Sequence, residues 1–66
     1  MTVWVNDELR EIVRATNVAE LIEELALLAP AILVEHNGLA LRREEWPART
    51  LTAGDRVELI RIVAGG

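Results

Sequence analysis

Residues 17–28 read NVAELIEELALL, and this stretch decides the fold class of the chain. Its aliphatic residues recur at positions 18, 21, 22, 25 and 28, a spacing that places them on one face of an α-helix. Asn17 can cap the free backbone N–H groups at the start, and Glu20 follows three residues later, as in a capping box. Pro30 marks the end, because the residue before a proline avoids the α region. The stretch therefore predicts one amphipathic helix between Asn17 and Pro30.

Short β-prone runs lie on both sides of this helix. They are residues 3–5, 9–13, 31–35, 39–41 and 56–63. Asn6-Asp7-Glu8 separates the first two runs and favours a turn, so that together they suggest a hairpin. Asn37-Gly38 is a strong tight-turn signal between the third and fourth runs. A compact polar stretch, Arg42–Trp46, predicts a helical turn before the last strand.

The order of these elements predicts the architecture. One helix packed across one face of a mixed sheet is an economical α+β arrangement. The helix-containing segment is long enough to cross over, so the two terminal strands can pair in parallel. We therefore predict a β-grasp (ubiquitin-like) fold with a mixed sheet of four to five strands and one helix. Residues 1–63 are expected to form the domain and residues 64–66 a flexible C-terminal Gly-Gly tail.

The composition limits the chemistry available to the chain. Its 66 residues include no Cys, Ser, Lys, Tyr or Phe, and His36 is its single imidazole. A chain of this length forms one domain, and without cysteine it has neither a disulfide nor a thiolate zinc site. Small-molecule sites are clefts of roughly 300–1,000 Å³, which a domain this small can hardly enclose while keeping a core. These features argue against an independent enzyme.

The charge balance is acidic, with seven arginines against eleven Asp and Glu and a net charge of −4. This disfavours nucleic acid, whose binding depends on neutralising phosphates, and it fits a protein that meets a basic partner surface. The longest apolar run, Leu25–Val34, is interrupted by Pro30 and is too short to span a bilayer. We expect a cytoplasmic protein, monomeric when alone, that binds neither nucleic acid nor membrane.

The C-terminal residues Ala64, Gly65 and Gly66 follow the last strand without a spacer and form the candidate functional site. Fully extended, three residues reach about 10 Å, and glycine has no Cβ to prevent it from threading a narrow channel. The terminal carboxylate has an ordinary pKa of about 3.3–3.7, so it is ionised and a poor electrophile. Acyl-adenylate formation with ATP would activate it. Because the chain has no glycine-rich phosphate loop, that step requires a partner. The alternative is a frayed tail without chemistry.

Several motifs, spread over the chain, point to one family. They are Val5-Asn6, Asn17–Leu21, Asn37-Gly38, Arg43–Trp46, Leu51–Ile60 and the terminal Gly65-Gly66. The Arg-x-x-Trp stretch, the Gly-Asp-x-Val turn and the Gly-Gly end form the specific part of this combination. With these residues the chain resembles the ThiS family of sulfur carrier proteins in thiamin biosynthesis, within the ThiS/MoaD group of ubiquitin-like proteins.

The resemblance implies a carrier mechanism. A ThiF-like (E1-like) adenylyltransferase would use ATP to activate Gly66, and sulfur ultimately from cysteine would convert the carboxyl group to a thiocarboxylate. A ThiG-like thiazole synthase would then accept the sulfur. The chain would be a substrate of these partner enzymes, with no catalytic residue, no metal and no bound cofactor of its own.

Other readings of the same residues stay open. The sulfur could serve another pathway (molybdopterin, cysteine or a secondary metabolite), or the chain could be a β-grasp interaction module or a ubiquitin-like modifier. Two departures from the family pattern bear on partner choice: Leu41-Arg42-Arg43 stands where Val-Pro-Arg is common, and His36 precedes the Asn-Gly hairpin where a small apolar residue is more usual.

The last strand supplies the candidate docking residues. A period of two places Val57 and Leu59 in the core and Glu58, Ile60 and Ile62 on the opposite face. Exposed apolar residues often mark a partner site, so Ile60 and Ile62 are expected to form a docking patch with Glu58. The set is completed by Arg61, the best candidate for contacting an acidic partner.

The remaining polar and aromatic residues have structural interpretations. His36 is expected at the surface beside a turn, and Trp46 is expected to be a packing anchor. Glu20, Glu23 and Glu24 are expected to form a solvated helix face.

Overall fold

A computed structural model describes residues 1–62 of the chain. Its strands are β1 (Thr2–Val5), β2 (Glu8–Glu11), β3 (Ile32–His36), β4 (Leu39–Leu41) and β5 (Arg56–Arg61), its helix is α1 (Val18–Glu24), and short 3-10 helices span Ala29–Ala31 and Arg43–Ala48. The five strands form one sheet in the order β2-β1-β5-β3-β4. β1 and β5 pair in parallel and the other neighbours antiparallel. The predicted β-grasp fold is confirmed.

Both predicted tight turns are present. Asn6 and Asp7 have φ of 49° and 66°, and Asn37 and Gly38 have φ of 50° and 84°. Positive φ at both central residues is what a two-residue type I′ hairpin requires, and Asn, Asp and Gly tolerate it best. These turns set the registers of the β1–β2 and β3–β4 hairpins.

The helix is shorter than its apolar pattern predicts. Asn17 caps it, accepting a hydrogen bond from the Glu20 N–H at 2.8 Å, but it ends at Glu24 rather than near Pro30. Ala26 adopts a left-handed φ of 57°, and the Leu27 N–H donates to the carbonyl of Ile22 at 3.1 Å. This is a Schellman motif, which closes a helix.

Leu28 therefore lies outside the helix. The sequence places it on the apolar helix face, but its side chain is 77% exposed. That assignment was wrong because the left-handed residue at Ala26 redirects the chain before the helical period reaches Leu28.

The core lies between α1 and the inner face of the sheet, the face that the helix covers. Its fully buried members are Val3, Val18, Leu21, Ile22, Val34 and Val57. Burial of an aliphatic side chain of this size contributes about 1.5–3 kcal/mol to folding. Leu59 is half-buried against the same cluster, so the predicted inward direction of Val57 and Leu59 is confirmed. Trp46, which is 4% exposed, packs into this cluster from the second 3-10 helix, as predicted.

His36 is buried, contrary to the sequence interpretation, and only 4% of it is exposed. The alternation of β3 explains this, because Ile32, Val34 and His36 all face the core. The His36 Nε2 lies 2.7 Å from a carboxylate oxygen of Asp55, and Arg49 Nε donates to His36 Nδ1 at 2.9 Å. Since Nδ1 accepts this bond, the ring proton is assigned to Nε2, which donates to Asp55.

Asp55 connects the Asn37-Gly38 turn to the turn that begins at Thr52. Besides His36, it accepts hydrogen bonds from the Thr52 N–H at 2.8 Å and from the Asn37 amide at 3.1 Å. Partial burial acts to raise the pKa of Asp55, but these hydrogen bonds outweigh it and hold the pKa below its ordinary value of 3.8. His36, the residue before the Asn37-Gly38 hairpin, thus links β3 to the start of β5 through its hydrogen bond to Asp55.

Glu24 is a structural residue as well, not part of a solvated face. Its carboxylate accepts the backbone N–H groups of Val13, Arg14 and Ala15, each at 2.8 Å. These bonds lower the pKa of Glu24 below its ordinary value of 4.5. Glu20 likewise accepts the Thr16 N–H and hydroxyl, which lowers its pKa. Both carboxylates satisfy loop N–H groups that precede the helix.

Replacement of Glu24 by glutamine is expected to lower the midpoint of thermal unfolding at pH 7 and to weaken the dependence of stability on acid. A carboxylate whose folded pKa is depressed stabilises the fold above its unfolded pKa, here near 4.5, and loses that effect as the pH falls through the folded value. Glutamine cannot titrate, and its NH₂ group cannot accept a loop N–H. Thermal unfolding between pH 7 and pH 3 measures both effects.

Glu23→Gln is the matched control for this prediction, because Glu23 is exposed on the same helix and its side chain makes no hydrogen bond within residues 1–62. This variant should follow the unsubstituted chain at every pH. If the thermal midpoint of Glu24→Gln falls between pH 7 and pH 3 as steeply as that of the unsubstituted chain, the structural role of the carboxylate is contradicted.

Candidate functional site

The end of β5 is held on both sides up to Ile62, the last described residue. On one side the Asn6 amide donates to the carbonyl of Leu59 at 3.1 Å and accepts the Leu59 N–H at 2.7 Å. On the other side the Ile62 N–H donates to the carbonyl of Ala31 at 2.7 Å. The segment that precedes the C-terminus is thus fixed to the sheet by hydrogen bonds.

Asn6 extends the pairing of β1 with β5 beyond the last strand residue of β1. Sequence reasoning treated Asn6 only as a turn former and part of a family motif. Its left-handed φ of 49° places it in the turn, and its side chain reaches across to Leu59. A single sequence does not reveal this second role, because the two residues are 53 positions apart.

The predicted tail site, Ala64, Gly65 and Gly66, lies outside the described residues, as does Val63. The tail assignments and the division into residues 1–63 and 64–66 therefore stay predictions.

An exposed apolar patch lies on the outer face of the sheet, the face that α1 does not cover. Ile60 is 48% exposed and pairs directly with Leu33, which is 52% exposed. Ile62 follows β5 and is 46% exposed. We call Leu33, Ile60 and Ile62 the outer patch. The predicted exposure of Ile60 and Ile62 is confirmed, and Leu33 is an addition that the alternation of β3 could have indicated.

Two carboxylates adjoin the outer patch. Glu58 and Glu35 are directly opposite each other on β5 and β3, and both are half-buried. Like charges placed directly opposite on a sheet are destabilising. This pair gives the outer patch an acidic margin suited to a basic partner surface.

The four predicted docking residues do not share one surface. Glu58 and Ile60 lie on the outer face, with Ile62 following them in the same alternation. Arg61 pairs with Ile32, whose side chain is buried on the inner face. Arg61 thus borders a cavity that also touches Leu27. The alternation of a strand dictates this separation, and the docking roles themselves stay predictions.

Within residues 1–62, no group of three or more His, Asp or Glu side chains is arranged to hold a metal ion. No helix in the same part of the chain has both the length and the apolar character needed to cross a bilayer.

The described chain forms a five-stranded mixed sheet with parallel terminal strands and one helix across it, and its last strand precedes a Gly-Gly sequence. These features define the class of the protein as a ubiquitin-like protein of β-grasp fold. Comparison with protein families narrows this class, since the ThiS family model matches residues 3–66. The chain belongs to the ThiS family, whose members are small sulfur carrier proteins.

Solved structures support this assignment. The chain is similar to the crystal structure of the thiamine biosynthesis protein ThiS from Geobacter metallireducens, with 36% identity, a TM-score of 0.85 and complete coverage of both chains. It is also similar to the solution structure of a thiamine biosynthesis protein from the same organism, with 36% identity, a TM-score of 0.82 and coverage of 100% of this chain and 88% of that one. No curated protein sequence matches the chain significantly.

Proposed function

We propose that this chain carries sulfur as a thiocarboxylate on Gly66 and donates it for thiazole formation in thiamin biosynthesis. The observation that carries the proposal is the family match, which extends through residue 66 and so includes the Gly-Gly end. The similarity to thiamine biosynthesis proteins favours thiazole formation over the other sulfur-requiring pathways.

The chemistry proceeds in two steps on partner enzymes. First, a carboxylate oxygen of Gly66 attacks the α-phosphate of ATP on a ThiF-like adenylyltransferase, which forms the acyl-adenylate and releases pyrophosphate. Next, hydrosulfide supplied by the sulfur donor attacks the acyl carbon and AMP leaves, so that sulfur replaces one oxygen of the carboxyl group. The chain contributes the acyl group and its presentation, and the partner supplies ATP and the sulfur.

In this proposal the folded domain is the part of the chain to which both partner enzymes bind. Hydrogen bonds hold β5 as far as Ile62, and Gly66 follows four residues later. In this proposal the adenylyltransferase and a ThiG-like thiazole synthase dock on the outer patch and its acidic margin, which leaves the C-terminus free to enter an active site.

Intact-mass spectrometry tests the proposal. Incubation of the chain with an adenylyltransferase from its own organism, ATP and a sulfur donor should increase its mass by the difference between one sulfur and one oxygen atom. The increase should require ATP. An unchanged mass under conditions that convert a known carrier with its own partner would refute the proposal, and conjugates with lysines of other proteins would favour a ubiquitin-like modifier.

Truncation of Ile60 to alanine is expected to weaken docking of the adenylyltransferase by about tenfold, since each apolar carbon that becomes buried at an interface contributes about 0.8 kcal/mol and about 1.4 kcal/mol corresponds to tenfold in affinity. Because Ile60 is 48% exposed, the free energy of unfolding should change by no more than about 1 kcal/mol. Titration calorimetry and urea unfolding measure the two quantities.

Val13→Ala is the matched control, because Val13 is 81% exposed and lies away from the outer patch, at the other end of the β1–β2 hairpin from Asn6. It should bind the adenylyltransferase normally. A loss of several kcal/mol of stability in Ile60→Ala would instead place this side chain in the core and contradict the docking role.

A further inference from the structure

The inner face of the sheet is open at the end where β5 finishes. Because α1 stops at Glu24, this end is bounded by the half-buried side chains of Leu25 and Leu27. A groove of about 280 Å³ lies there. Its floor is apolar and is formed by Val5, Leu25, Leu27, Ile32 and Leu59.

The groove extends toward the C-terminus of the described chain. A second cavity, of about 360 Å³, shares Leu27, Ile32 and Arg61 with the first and is bounded by Leu28 and Ile62. The two cavities adjoin at these shared residues, and we call them together the inner groove. Ile62, from which the chain continues to Gly66, forms the far wall of the inner groove.

The charge of the inner groove is opposite to that of the whole chain. Arg10 and Arg61 stand at its rim, and neither guanidinium has a carboxylate within ion-pair distance among residues 1–62. No Asp or Glu of the described chain lines either cavity. In a chain of net charge −4, two arginines over an apolar floor form a local cationic site.

We propose that the inner groove docks an acidic, aliphatic segment of a partner protein. Leucine or isoleucine side chains of that segment would cover the floor, and its carboxylates would pair with Arg10 and Arg61. Arginine suits this role because its planar guanidinium binds a carboxylate through two parallel hydrogen bonds. Charge complementarity selects this occupant, since a basic segment would be repelled and a purely apolar one would leave both guanidinium groups unpaired.

The position of the groove gives the contact a consequence. Ile62 lies on its wall, and the four residues that follow span at most about 14 Å. A partner segment held beside Ile62 therefore lies within about that distance of Gly66, and because Ile62 borders both the inner groove and the outer patch, the two surfaces meet at the end of β5. This proposal rests on the proposed function only for the nature of the partner protein. Binding to the inner groove can be tested without any sulfur chemistry.

Chemical-shift titration of the full ¹⁵N-labelled chain provides the test. The probe is a capped synthetic peptide in which Asp and Glu alternate with Leu, and the control peptide has Arg in place of the acidic residues. The acidic peptide should shift the backbone amides of the inner groove saturably, and the basic peptide should not. No saturable shift, or shifts confined to Leu33 and Ile60 of the outer patch, would overturn the proposal.

Charge reversal identifies the arginines involved. Arg10→Glu and Arg61→Glu should each weaken binding of the acidic peptide by about fivefold, the size expected when an exposed ion pair is replaced by repulsion. Arg43→Glu carries the same charge change at a residue that does not line the inner groove and should bind normally. An equal loss in all three variants would show that net charge, not the groove, governs binding.

A chain shortened to end at Ile62 tests the remaining candidate occupant of the inner groove, which is the protein's own C-terminal segment. The full chain and the shortened chain should bind the peptide with similar affinity. If only the shortened chain binds, the C-terminal residues occupy the groove and the proposal of a partner segment is wrong. Each of these results is independent of the mass measurement, so a chain that fails to acquire sulfur could still bind the peptide, and the reverse.

Discussion

Deletion of Gly66, or addition of one alanine after it, is expected to abolish thiocarboxylate formation. The reacting carbon belongs to the terminal carboxyl group, and each residue moves it by about 3.5 Å along the chain. A misplacement of only about 1 Å can cost roughly a hundredfold in rate. Intact mass after incubation with the adenylyltransferase, ATP and sulfur donor measures the loss.

Two controls separate this effect from damage to the fold. Neither variant changes any residue among 1–62, which make the hydrogen bonds of the described domain, so both variants should keep the thermal midpoint of the unsubstituted chain. Gly65→Ala keeps the length and adds only a Cβ, so it should slow conversion while still reaching the same final mass. Complete conversion of the variant that lacks Gly66 would contradict the assignment of the carrier site.

Replacement of Trp46 by alanine is expected to unfold most of the protein at 25 °C. Trp46 is 4% exposed and belongs to the same core cluster as Leu21 and Ile22. Truncation of a buried tryptophan costs about 3–5 kcal/mol, and a single core in a chain this small rarely supplies more than about 3–5 kcal/mol. Urea unfolding followed by far-ultraviolet circular dichroism measures the change in free energy.

Trp46→Phe is the matched control. It keeps an aromatic ring and removes the indole N–H, which is buried and has no hydrogen-bond partner within the described residues. Since no hydrogen bond is lost, the phenylalanine variant should lose much less free energy of unfolding than the alanine variant. Equal destabilisation by both substitutions would contradict the assignment of this stability to packing of the aromatic ring.

Local patterns in the sequence predicted most of the fold. Asn6-Asp7 and Asn37-Gly38 fix tight turns because these residues accept positive φ at little cost. The alternation of Val57, Glu58 and Leu59 correctly separated the two faces of β5. These predictions succeeded because they depend on residues that are neighbours in the chain.

The errors had two causes, a local left-handed residue that the sequence does not signal and distant groups that complete an interaction. The aliphatic spacing favoured a helix that reached Leu28, but the backbone turned at Ala26, a residue with no sequence signal for left-handed φ. His36 resembled an exposed residue beside a turn, yet Asp55 and Arg49 satisfy both ring nitrogens inside the molecule. A histidine can be buried at low cost only when such partners exist, and they lie far along the chain.

The carrier site shows the same division. The group proposed to carry sulfur, the Gly66 carboxyl, was predicted from the terminal Gly-Gly and from the resemblance of the sequence to its family. The surfaces around it were not, because pairing between β3 and β5 brings Leu33 beside Ile60 and Glu35 beside Glu58. Strand alternation then directs Arg61 to the inner groove.

The sequence by itself thus determined the turns, the strands, the start of the helix and the residue expected to carry sulfur, since each depends on local backbone preferences or on the identity of one residue. Only the tertiary structure decided where the helix ends, which polar side chains are buried and which residues share a surface. The last two features depend on hydrogen bonds and contacts between segments far apart in the chain, such as Asn6 with Leu59 and His36 with Asp55, whereas the helix end depends on the left-handed backbone at Ala26, which the sequence does not signal.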